Sequence, residues 1–372
     1  MPSSLARINL SVLGENIEYV ISHLDQDVGV LFAAKSDAYG HGIEAVSNTA
    51  REAGVDYLGV ATLDEAVKVR NANVTLPILL LSPILLDEVQ TALDLGLTLQ
   101  VSDLAFARLL AQSADRMGKK ARIHVNVDTG MGRFGILPGE AALLLEQLYE
   151  LPSLSIEGVF SHLSVADSKD PTHQEYTRSQ IERFITLLDD LKDADLLPPL
   201  RHIGNSAAVI QYPDLVISPV LNLVRIGTLF YGYPEASRPW VDAVRPVATL
   251  TTRVIALKNL APGDCVGYGC TYQAHTAQRI VILPVGYGSG ISPCLANCGE
   301  VRINEDMAPV VGKILLDHTI VDITNVKNVF VGNTVEVFGP HVPADRVAKM
   351  AGLTVCEILV PALRGAAARV YE

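Results

Sequence analysis

The chain has 372 residues, 49% hydrophobic and 19% charged, enough apolar material for a large core in more than one domain and too little polarity for disorder. Its net charge of −12 opposes binding to nucleic acid or to an anionic membrane surface, either of which calls for a basic face. No apolar run reaches the roughly 18–20 residues that cross a bilayer.

The N-terminus carries no charged segment followed by an apolar one, so no export signal is expected. Five cysteines leave one over in any pairing scheme, and a reduced, cytoplasmic enzyme is the simplest expectation. Cys294 and Cys298 are spaced like half of a metal site, but no second Cys/His pair accompanies them, so no metal is expected.

A strand-like piece, Ala6–Leu10, comes first and can pair with a later β domain. Eight short apolar runs then alternate with helical patterns: Gly29–Lys35, Asp56–Ala61, Pro77–Ser82, Leu97–Ser102, Ala121–Asp128, Ser155–His162, Leu200–Asn205 and Leu221–Arg225. Ile181, Phe184, Ile185, Leu188 and Leu191 show the helical spacing between them. Eightfold strand–helix alternation reads as an α/β fold of the (β/α)8 TIM-barrel type, although a doubly wound sheet can also hold eight strands. Lys35, Asp128, His162, Asn205 and Arg225 end their runs where a barrel's active face lies, which favours the barrel. After Tyr233-Pro234 the pattern changes to short β-branched runs bounded by Gly, Pro or Asn: Val247–Leu257, Arg279–Pro284, Glu300–Ile303, Ala308–Val311, Thr319–Ile323 and Thr334–Phe338. The expected organisation is a barrel over 1–234 and a mainly β C-terminal domain over 235–372.

Lys35 closes the first barrel run. A dry, rigid strand end lowers an amine's pKa as a Schiff-base lysine needs, but a lysine there can equally just extend to solvent. Gly204-Asn205-Ser206-Ala207-Ala208 and Arg225-Ile226-Gly227-Thr228 follow the seventh and eighth runs, where barrels bind phosphate; either segment alone also fits an ordinary strand-to-helix cap.

The segment Ala33-Ala34-Lys35-Ser36-Asp37-Ala38-Tyr39-Gly40-His41-Gly42 resembles the cofactor-lysine motif of the alanine racemases, fold-type III pyridoxal-phosphate enzymes. The resemblance extends along nearly the whole chain. It takes in Val125-Asn126-Val127-Asp128-Thr129-Gly130-Met131-Gly132-Arg133-Phe134-Gly135, Ser161-His162, Cys265-Val266-Gly267-Tyr268-Gly269-Cys270-Thr271-Tyr272, Pro284–Gly290 and Val311–Thr319. It implies pyridoxal 5'-phosphate held by Lys35, Tyr39, His162, Asn205, Ser206, Arg225, Gly227 and Thr228. Arg225 is implied to meet the pyridine nitrogen and His162 to pack beside the ring and bond to that arginine. A guanidinium has no proton to give up, so the ring nitrogen stays unprotonated and is a weaker electron sink, which suits racemisation. The resemblance further implies Lys35 and Tyr268 as the two opposed catalytic bases, and Arg133, Leu316 and Tyr287 around the substrate. Tyr268 is implied to reach the partner subunit's barrel in a homodimer.

Departures from the family pattern bear on substrate. Asn126 stands where many members carry a carbamylated lysine and others bind an anion, so an anion is expected near Asn126 and Arg133. Leu315-Leu316 replaces Cys-Met, and Ser289 replaces an aspartate. The segment Val355–Gly365 lacks the tyrosine that holds the phosphate and crowds the substrate methyl. Racemisation of alanine is the leading expectation, with serine or a broader set as the alternative, since one methylene changes binding by only about 1–3 kcal/mol. A pyridoxal-phosphate aldolase or dehydratase on β-hydroxy amino acids and a non-catalytic cofactor carrier rank lower, because the catalytic tyrosine that the resemblance implies, Tyr268 on the second domain, argues for proton transfer.

Overall fold

The computed structural model describes residues 3–372. A first strand, β1 (Ser4–Ile8), is followed by eight that fall within or overlap each of the eight apolar runs: β2 (Gly29–Ala33), β3 (Tyr57–Val60), β4 (Ile78–Leu80), β5 (Thr98–Val101), β6 (Ala121–Asn126), β7 (Leu154–Phe160), β8 (Leu200–His202) and β9 (Leu223–Ile226). They form one eight-stranded parallel sheet in which β9 lies beside β2, with Leu31 opposite Arg225. The Arg225 amide donates to the Gly204 carbonyl at 2.9 Å and the Asn222 amide to the Arg201 carbonyl at 3.1 Å, which brings β9 against β8 and closes the cylinder. The strands are apolar on both faces because helices cover the outside and side chains fill the inside. Helix Pro171–Asp193 shows how the cover is made. Asp170 caps its first turn, Pro171 starts it, and Ile181, Phe184, Leu188 and Leu191 turn one buried stripe to the sheet.

Compact packing divides the chain differently from a single cut at residue 234. One unit comprises 14–36 and 43–244; the other comprises the described residues up to 13, the short segment 37–42 and everything from 245 on. Backbone pairing is the reason at the N-terminus: β1 lies between β10 (Ala248–Arg253), antiparallel to it, and the last strand of the chain (Ala368–Tyr371), parallel to it. The segment 37–42 is held by the same strand, through the Asp37 carboxylate and the Arg369 guanidinium at 3.0 Å.

The second unit is mainly β, with a six-stranded sheet, a three-stranded sheet and a two-stranded ribbon. The run Val247–Leu257 is not one strand. The chain leaves the large sheet after Arg253 and enters the small one as β11 (Ala256–Leu260), because the Val254 amide is taken by Asn333 and the Ile255 amide by Ile282. Helices Ala344–Ala351 and Val355–Arg364, outside the β pattern read from the sequence, complete the unit.

Register in the barrel is irregular at one place. Between β6 and β7, Ile123 faces Ile156 but His124 faces Gly158, so Glu157 is skipped. A Cβ on Gly158 would lie 2.7 Å from the His124 ring, which explains the glycine. Gly158→Ala is therefore expected to cost about 1–3 kcal/mol of stability by overpacking. Gly139→Ala, where a methyl meets nothing within 4 Å, should stay within about 0.5 kcal/mol of the parent in urea unfolding.

Candidate active site

Arg225 is 6% exposed, near the end of β9, and donates to four acceptors of which none is a carboxylate. Its Nη1 meets His202 Nδ1 at 2.8 Å; its Nη2 meets the Ser161 carbonyl at 2.7 Å, His162 Nδ1 at 3.0 Å and the Ile203 carbonyl at 3.2 Å. The Phe160 ring lies beneath the guanidinium at 5.5 Å and stacks on the His202 ring. Burial, and after it the charge of Arg133, pulls the Arg225 pKa down to about 9, which leaves the group a cation at neutral pH.

Because arginine only donates, the hydrogen bonds dictate the tautomers of three histidines. His202 accepts at Nδ1, so its proton sits on Nε2, and that proton is directed to His124 Nδ1 at 3.0 Å. His124 in turn carries its proton on Nε2. His162 likewise accepts from Arg225 at Nδ1 and keeps its proton on Nε2. All three are held neutral. Burial is the main cause in each, followed for each by the Arg225 charge; it takes His124 to about 3 and His162 and His202 well below the usual range. His124 and His202 were not singled out in the sequence. Their signal was there: each sits two or three residues before a polar strand end, Asn126 and Asn205.

Lys35 and Arg133 also depress the His162 pKa, so three cations act on one ring. Arg133 lies on an exposed loop after β6 whose shape is set locally. The Asp128 carboxylate receives the amides of Gly130, Met131 and Gly132 at 2.7–3.1 Å. Burial pushes that carboxyl up, but the three amides together outweigh it and hold it below the usual range. Arg183 and Tyr176 donate to the carbonyls of Thr129 and Gly130 at 2.6 and 2.8 Å. Gly135, at φ 117°, lets the loop return beside Asp128, where a Cβ would come to 2.5 Å from the Asp128 amide nitrogen and no side chain would fit. Asn126 is buried and spends its amide on Gln100 Oε1 at 2.6 Å.

The two turns expected to hold phosphate are tied directly to each other: the Gly227 amide donates to Ser206 Oγ at 2.9 Å. Asn205 is the N-cap of helix Ser206–Gln211, accepting from the Ala208 amide at 2.9 Å. Ser206 and Thr228 are buried. This donor set, with a buried cation lacking a carboxylate partner and two further cations acting on the same histidine, fits pyridoxal phosphate. Arg225 would donate to an aromatic nitrogen, Lys35 would bond to the aldehyde carbon, and Ser206 with the turn around Gly227 and Thr228 would take the phosphate.

After Lys35 the backbone runs left-handed. Ser36, Asp37, Ala38 and Tyr39 have φ of 55°, 58°, 55° and 53°. Such a conformation costs an L-residue roughly 1–2 kcal/mol and persists only where the surroundings over-determine it. Asp37 is paired with Arg369, Ala38 is buried and accepts from the His41 ring at 2.9 Å, and Gly40 lies against Val360 and Leu363 of helix Val355–Arg364.

The remaining expected residues belong to the second unit. Tyr268 is 76% exposed on the ribbon β12 (Cys265–Val266)–β13 (Tyr272–Gln273). Tyr287 and Leu316 are neighbours, with the amides of Tyr287 and Gly288 donating to the carbonyls of Leu315 and Leu316 at 2.9 and 2.8 Å. Cys265 and Cys270 form a disulfide, which corrects the expectation of reduced cysteines; Cys294, Cys298 and Cys356 are thiols.

The neutral histidines have a consequence for acid stability. An unfolded chain takes up protons at its histidines near pH 6.5, whereas the folded one does so only near pH 4 at His41 and near pH 3 at His124. The unfolded state thus binds more protons below pH 6.5, and stability falls as pH falls, by up to about 1.4 kcal/mol per unit for each such histidine. Urea midpoints from pH 7.5 to 4.5 should drop steeply. His124→Asn, which keeps an acceptor for His202, should make that slope shallower by one histidine; an unchanged slope would contradict the assignment.

The family model for the alanine racemase N-terminal domain matches residues 8–235, and that for its C-terminal domain matches 247–371. The chain is 35% identical to an alanine racemase of Methanococcus maripaludis over 90% of its own length and 88% of the relative's. It is 35% identical to one of Desulforamulus reducens over 95% of both. A solved alanine racemase of Clostridium difficile superposes with a TM-score of 0.90 at 31% identity, covering 100% of this chain and 96% of that one. Among the described residues no helix is long and apolar enough to cross a membrane. With Lys35, Arg133 and Arg225 acting together on the His162 ring of an eight-stranded barrel, and both domains of the family accounted for, the chain belongs to the alanine racemase family of amino-acid racemases.

Proposed function

We propose that the protein interconverts L- and D-alanine with pyridoxal 5'-phosphate, as a cytoplasmic homodimer. The observation that carries the cofactor is the buried Arg225, a donor-only group fixed by two neutral histidines and facing no carboxylate. When bound, the cofactor supplies an electron sink that loosens the α-hydrogen of the amino acid joined to it. Everything else falls to the chain. Arg225 withholds a proton from the ring nitrogen and so limits that sink to what reversible proton exchange needs. Lys35 acts on the His162 ring together with Arg133 and Arg225, and its amine would accept a proton on one face. Arg133 supplies a cation for the substrate carboxylate on a loop shaped by Asp128. Tyr268 holds or releases a proton at its hydroxyl on the opposite face. Its 76% exposure on its own unit supports its use by a second subunit, because an aromatic ring left so open gains most from a partner.

The absent tyrosine in Val355–Gly365 favours a wider substrate range as the second reading. Incubation with L-alanine, L-serine and bulkier amino acids followed by chiral chromatography separates the two. Alanine should racemise fastest; faster turnover of serine would establish the second reading, and no exchange with any amino acid would refute both. Lys35→Ala should abolish racemisation. Tyr268→Phe should lower kcat about 10²–10⁴-fold, the usual worth of a positioned acid or base; wild-type rates in both directions would remove it from the mechanism.

A further inference from the structure

We propose that Cys265 and Cys270 form a thiol–disulfide exchange site that sets catalytic competence by clamping Tyr268. The inference rests on the catalytic role proposed for that tyrosine. The bridge joins Cα atoms 4.9 Å apart and encloses the sequence Val266-Gly267-Tyr268-Gly269, so the backbone of Tyr268 is part of a six-residue covalent ring. One side of the ring is anchored. Val266 is 2% exposed in a cluster with Leu260, Ile280, Val311 and Ile320, and Cys265 and Val266 pair with Gln273 and Tyr272 across the ribbon. The other side is a turn with Gly267 at φ 66°, Gly269 at φ 77° and Cys270 at φ 47°. Glycine adopts those angles freely, but cysteine does not, and a non-glycine residue stays there only when something holds it. The bond to Cys265 is what holds Cys270. On the single chain both cysteines are exposed, so a thiol can reach the sulfurs there.

In the exchange, a thiolate of a small-molecule or protein dithiol attacks one sulfur and displaces the other. Its second thiolate then attacks the reductant's own sulfur in that mixed disulfide and displaces the remaining protein sulfur as a thiolate. Two electrons and two protons pass to the protein, Cys265 and Cys270 are released as thiols, and the reductant leaves as its own disulfide. Cys270 can then return to a right-handed backbone, and Tyr268 loses its fixed placement. Disulfides of reducing compartments are characteristically transient and redox-sensing, which matches an exposed bridge beside a reacting group.

The test uses the whole enzyme with its cofactor, treated with dithiothreitol or with glutathione disulfide. Before reduction three cysteines should alkylate, and afterwards all five. Reduction should lower kcat by roughly fivefold to a hundredfold, the scale of a small misplacement of a reacting group, with KM for alanine little changed and recovery on reoxidation. Washout of α-deuterium should slow from the enantiomer deprotonated at the tyrosine face more than from the other, which a general loosening of the fold would not produce. The C265S/C270S variant should stay at the reduced rate and ignore both reagents. Equal kcat in the two redox states, or five alkylated cysteines before reduction, would overturn the proposal. Should Tyr268→Phe retain full activity, the mechanistic reading itself fails; should it lose activity while the wild type ignores dithiothreitol, only the clamp does.

Discussion

A permanent cation buried among acceptors that carry no charge is the constraint on which the barrel's interior depends. Removing a guanidinium from water is expensive unless every donor finds a partner. Here the partners are two ring nitrogens and two backbone carbonyls, from Ser161, His162, His202 and Ile203. A carboxylate would neutralise Arg225; these acceptors solvate it and leave its charge in place. The histidines must then be neutral, and their proton positions follow without further choice. The skipped Glu157 and the missing side chain at Gly158 make room for the outermost of them, His124.

A second constraint acts at Lys35. The four residues after it run left-handed, a conformation no local preference supports. Its stability comes from chain ends far away in sequence: Arg369 on the last strand pairs with Asp37, and the helix carrying Pro361 presses on Gly40. Backbone strain next to a reacting group, held by remote packing, is a common way to pre-organise that group. It also explains why a six-residue stretch of the lysine motif packs with the C-terminal domain and not with the barrel that precedes and follows it.

Much of the architecture was legible because it is periodic. Eight apolar runs separated by helical spacing leave few alternatives to a barrel, and each observed strand lies within or overlaps one of those runs. Boundaries were less legible. Val247–Leu257 is evenly β-branched, and nothing local shows that the chain changes sheets after Arg253, because that change depends on which distant amides and carbonyls are free to pair. The same limit hid His124 and His202. A lone histidine in an apolar run says little until a second one and an arginine are brought within 3 Å of each other.

Sequence alone determined what is local or carried by residue type: strand and helix alternation, the lysine at a strand end, the glycines that turn the loops, and the motifs that match a family. Tertiary structure alone decided which polar groups share a buried space, which protonation states that space permits, where the backbone is held against its own preference, and that Cys265 and Cys270 are bonded. The physical reason is one of range. Propensity and periodicity act over a few residues, whereas desolvation, charge and covalent cross-links depend on neighbours that only the folded chain brings together.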